Sequence, residues 1–209
     1  MGFPTETTCV ERLDEVIDLL ARLGLEGRAP LARAADEAYT ARLGATDNHP
    51  PFAGGMFSFL EGVRAIRDVL VGDRWARRDI GGVSYVENSA TRVRIGFWNV
   101  DRACDVGRVP VRNSELGPCT AMVLRDNRQG WLDLDTDPAA AETADWSHWF
   151  LMVGQDGTAE LSLVDGAVFV RRLFIVTVQD LDPLHGFGTS READDTEDPV
   201  FDVPVSRRR

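Results

Sequence analysis

Carboxylates are the side chains with which this chain is best equipped to do chemistry. Glu87, Asp101, Asp105, Glu115 and Glu160 lie in or beside stretches that read as strands. Two or three acids projecting from neighbouring strands can hold Mg²⁺ or Mn²⁺ and activate water against a phosphoester. Asp101, Asp105 and Glu160 are the candidate metal ligands on this reading, and Asp101 and Glu160 the candidate catalytic pair. The chain has 34 acidic residues, however, so clusters of this kind also arise by chance. Asp133-x-Asp135-x-Asp137 opens like a calcium loop, but the positions that need Gly and a bidentate Glu hold Pro138 and Ala144. A solvated acidic loop is the better reading.

The other reactive types are sparse. His49, His148 and His185 are far apart, with no HExxH and no paired spacing, so a histidine metal site has no sequence support. His49 precedes Pro50-Pro51, where a stiff backbone can present the ring. His148 stands between Trp146 and Trp149 at a strand start and reads as a half-buried imidazole. The three cysteines, Cys9, Cys104 and Cys119, make no CxxC, and an odd, sparse set fits structural thiols in a reducing compartment. Cys119, in Gly117-Pro118-Cys119-Thr120, would need a neighbouring base to be a nucleophile. No serine sits in a GxSxG elbow. All 23 basic residues are arginine. With no lysine there is no Walker-type phosphate loop, no pyridoxal Schiff base and no lysine nucleophile. No cofactor is expected, and Mg²⁺ or Mn²⁺ enters only with the carboxylate reading.

Arginines offer a binding face instead. Arg64 and Arg67 are three apart on one helix side, and Arg74, Arg77 and Arg78 follow around Trp75. Such a group suits a phosphate, a nucleotide or an acidic partner, with Trp75 to stack on and His49 as a further contact. Pairing with Glu61, Asp68, Asp73 and Asp79 is the simpler account of the same arginines. The net charge of −11 argues against bulk nucleic-acid binding.

The elements that must position these groups fall into two blocks. Residues 9–24, 30–43 and 54–71 read as helices: Val10, Leu13, Val16, Ile17, Leu20 and Leu23 recur at helical spacing, Pro30 opens the second helix, and Phe57, Leu60, Val63, Ile66, Val69 and Leu70 mark the third. From about residue 80 the period shortens. Strands are expected at 83–86, 92–97, 149–153, 158–163 and 168–178, with Asp156-Gly157 and Asp165-Gly166 as hairpin turns. Val93, Ile95 and Phe97 should face the core, and Arg92, Arg94 and Trp98 outward. The expectation is an α+β fold, N-terminal helices packed on a mainly antiparallel sheet of about five strands. Residues 1–181 form the single domain, and 182–209 an acidic, then arginine-terminated tail. No apolar run is long enough to span a membrane, and residues 1–8 do not read as a signal peptide, so the default address is the cytoplasm.

Several fragments belong together: His49-Pro50-Pro51, Gly54-Gly55-Met56-Phe57, Arg64-Ala65-Ile66-Arg67, Trp75-x-x-x-Asp79, Gly117-Pro118-x-Thr120, Glu160-Leu161-Ser162-Leu163, Arg172-x-Phe174-Ile175 and Val203-Pro204-Val205. With them the chain resembles a group of uncharacterised bacterial proteins associated with plasmids, integrative elements and other mobile DNA. The resemblance implies a genomic setting and no reaction. The leading expectation is a non-catalytic binding or regulatory accessory protein of a mobile element, engaging a host defence or DNA-processing complex through an acidic surface. The alternatives are a metal-dependent phosphoester hydrolase and a small-ligand or nucleotide sensor. A protein partner is expected, a membrane partner is not, and open strand edges allow a homodimer.

Overall fold

The computed structural model describes residues 7–80, 82–113, 146–165 and 168–181. Three helices pack on a seven-stranded sheet. In chain order the elements are β1 (Thr8–Val10), α1 (Leu13–Arg22), α2 (Ala29–Leu43), α3 (Ala53–Leu70), β2 (Ala76–Ile80), β3 (Val83–Asn88), β4 (Val93–Asn99), β5 (Ser147–Val153), β6 (Ala159–Asp165), β7 (Val168–Val176) and a single turn, α4 (Val178–Leu181). The strand order is β1-β7-β6-β5-β4-β3-β2. β1 runs parallel to β7 and β4 parallel to β5, while the other neighbours are antiparallel.

The α+β class therefore holds, but the expected sheet of about five mainly antiparallel strands is corrected to a mixed sheet of seven. The two extra strands are the edges. β1 takes Val10 out of the expected first helix, and β2 occupies the arginine-rich stretch after Trp75. Val93, Ile95 and Phe97 do face the helices, as strand alternation requires, and meet Trp149, Leu151, Leu161 and Leu173 there. The opposite face is not solvated. Tyr85, Phe150, Met152, Val164 and Phe169 make a second core, and Trp98, expected outside, stacks on Phe150 with ring centroids 3.7 Å apart. No helix among the described residues is long and apolar enough to cross a membrane. Glu115, Cys119, the Asp133–Asp137 triplet, His185 and the tail from 182 lie outside the described residues.

Candidate functional site

Glu160 and Arg172 sit at inward positions on neighbouring strands, and the sheet's second face closes over both. They are fully buried. Arg172 Nε donates to Glu160 Oε1 at 2.8 Å and Nη2 to Oε2 at 2.6 Å, a two-pronged pair. Ser162 Oγ donates to Oε1 and the Cys104 N–H to Oε2, each at 2.7 Å. The remaining arm of Arg172 donates to the carbonyls of Asp105 and Arg108. Burial opposes the arginine's charge, but Glu160 outweighs it and holds the pKa above the usual value. This pair fastens the 104–108 loop to the sheet. Cys104 is tied in with it: its Sγ donates to the Ala159 carbonyl, and burial pushes the thiol's pKa well up, which favours the neutral thiol.

The other carboxylates of the set that lie among the described residues are likewise engaged. Asp101 Oδ1 accepts the N–H groups of Val111 and Arg102, and Oδ2 pairs with Arg108. Burial works against its charge, but those donors win and hold its pKa low. Asp105 Oδ1 accepts the Gly107 N–H, and Glu87 pairs with Arg94. Among the described residues, no group of three or more His, Cys, Asp or Glu is arranged to hold a metal.

Three of the five arginines of the expected binding face, Arg64, Arg67 and Arg74, are occupied by their own neighbours. Arg64 bonds Glu61, Asp68 and Glu37, Arg67 bonds Asp79, and Arg74 bonds Glu26. Trp75 is buried, with its indole N–H directed at the Gly24 carbonyl at 3.3 Å, so its ring is not a stacking platform. His49 closes its turn by accepting the Thr46 N–H at 3.0 Å and packs edge-on against Phe57. His148 is buried against Tyr85, and burial first, then Arg94, lowers its pKa to about 4. A cleft of about 880 Å³ opens between Arg102–Val106, Asp156 and α4. Arg102 there already pairs with Asp105 and Asp156.

What remains unmatched is a helix face. α3 lies close to β4 because its inner side is small: Ser58, Gly62 and Ala65 are buried. A Cβ at Gly62 would come within 2.3 Å of the Phe97 ring. Asn99, at the end of β4, holds the helix in place by donating to the Gly55 carbonyl at 2.8 Å and accepting from Ser58 Oγ at 2.7 Å. With the small residues against the sheet, the large ones are left outside. Phe52 is 68 % exposed, Met56 45 %, Phe59 43 % and Leu60 61 %. They recur at i, i+4, i+7 and i+8, one continuous stripe on a helix. A charged cluster paired within itself, Arg64 with Glu61, Asp68 and Glu37, lies beside it. The periodicity of residues 54–71 puts Leu60 with the core positions; the structure places it in solvent. Asn99 is the positioning residue that sequence reading passed over, although a polar residue closing an apolar strand was the available signal.

No family model, no curated protein and no solved structure matches the chain.

Proposed function

We propose that this protein acts by binding another protein, as an accessory or regulatory factor without a reaction of its own, with the apolar stripe of α3 as the contact face. The stripe carries the reading: Phe52, Met56, Phe59 and Leu60 are large, exposed, aligned, and held outward by a helix whose inner face is anchored. Single exposed apolar residues are ordinary, but an aligned set is characteristic of a surface that becomes covered. The resemblance to mobile-element proteins supports a partner in a bacterial host, such as a defence or DNA-processing complex. The net charge of −11 favours a partner with basic surface around its apolar contact. The hydrolase reading has less support because Glu160 and Asp101 spend their oxygens on internal donors. The sensor reading has less because Arg64 and Arg67 are paired and Trp75 is buried.

The test compares the wild-type chain with Leu60→Asp as bait in a bacterial lysate. A single stoichiometric partner should be retained by the first and lost with the second, while both melt at the same temperature. A partner held equally by both baits overturns the assignment of the face.

A further inference from the structure

Among the described residues β2 ends the sheet, and Ala76, Arg77, Arg78 and Asp79 are exposed along it. An open strand edge offers a row of N–H and C=O groups to any extended chain that can approach. Its two arginines differ from their neighbours. Arg64, Arg67 and Arg74 each hold a carboxylate, whereas Arg77 and Arg78 have no ion pair among the described residues. In the pairing with β3, Arg77 lies opposite Val86 and Arg78 opposite Tyr85. Val86 belongs to the helix-side core and Tyr85 to the other, so the two guanidinium groups straddle the edge, one above the sheet and one below.

Edge charges often serve only to prevent pairing. That role explains repulsion between copies: a second β2 laid antiparallel about Arg78 would set Arg78 against its own copy. An acidic strand meets the opposite situation. Two consecutive acidic residues also point to opposite faces of a strand, so one would meet Arg77 and the next Arg78. We propose that the β2 edge is a docking strand for an extended acidic segment of a partner protein, which joins the sheet as an eighth strand. The inference rests on the reading of the chain as a binding protein and assigns it a second contact, separate from the α3 stripe.

The probe is a fluorescein-labelled six-residue peptide with two adjacent acidic residues flanked by threonine and valine, titrated into the full chain and read by anisotropy. Saturable binding is expected, weakened by about two- to thirtyfold in Arg77→Glu/Arg78→Glu, as loss of two exposed ion pairs implies. It should also weaken when alternate peptide nitrogens are methylated, because strand addition depends on main-chain hydrogen bonds. Leu60→Asp should leave it unchanged, so failure of the α3 face and failure of this edge give different results. Equal binding of the methylated peptide, or of a lysine-substituted one, overturns the proposal. So does binding that appears only after Asp194, Asp195, Glu197 and Asp198 are changed to serine, which would make the chain's own acidic segment the occupant.

Discussion

Arg172→Met should cost the fold about 3–5 kcal/mol, the range for removing one partner of a buried ion pair. The loss comes from what is left behind. Glu160 keeps its two short bonds from Ser162 and Cys104 but loses both guanidinium donors, and the Asp105 and Arg108 carbonyls lose theirs. For a domain of this size the melting midpoint should fall by about 6–20 °C. Glu160→Leu/Arg172→Met removes both charges and should be less damaging than Arg172→Met alone, since no uncompensated ion remains. Urea unfolding followed by tryptophan fluorescence measures each arm of the cycle, with Trp149 a buried reporter. Arg172→Met within about 1 kcal/mol of wild type would refute the structural role assigned to Glu160, as would a double variant whose cost is the sum of the singles.

His148 should make stability fall with pH. Its folded pKa is lowered to about 4, so between about 6.5 and 4 the unfolded chain binds a proton that the folded one does not. Stability is full well above 6.5, and about 1.3 kcal/mol is lost from pH 7.5 to 5.5, before the carboxylates of Asp101 and Asp180, both held low, begin to titrate. His148→Gln should flatten that part of the profile; an unchanged slope would mean that another group is responsible. Gly62→Ala should destabilise by about 1–3 kcal/mol, as forced overpacking does, because the new methyl meets the Phe97 ring; chemical denaturation reads this directly. Mg²⁺ and Mn²⁺ should leave the melting temperature unmoved, and a shift abolished by Asp101→Ala would restore the hydrolase reading. Leu60→Asp should change stability by no more than about 0.5 kcal/mol, because the side chain is already in solvent.

The helices were legible because their apolar residues recur at 3.6-residue intervals and Pro30 and Gly44 punctuate them. The β5–β6–β7 meander was legible from short apolar runs of strand length and the Asp-Gly turn at 156–157. β2 was not, since an edge strand exposed on both faces has no alternation to show, and its Arg77-Arg78-Asp79 run resembles a loop. The parallel neighbours β4 and β5 join residues some fifty positions apart, a pairing that no local pattern encodes. In the site, Glu160 stood out as an acid but its partner did not. Recognising the pair requires the register that sets β6 beside β7 and places both side chains on one face. Of the α3 stripe, periodicity picked out only Leu60, and set it with the core positions, because spacing alone does not say which side the sheet takes. Gly62 and Ser58 settle that, because only small side chains let the helix approach Phe97 and Asn99.

The most direct measurement places a photocrosslinking phenylalanine analogue at Phe59, on the stripe, and, as a control, at Glu15, on the exposed side of α1. Crosslinks from position 59 to one partner protein, absent from position 15 and lost with Leu60→Asp, are what binding through α3 predicts. Crosslinks from both positions alike, or a partner joined only through position 15, would contradict it.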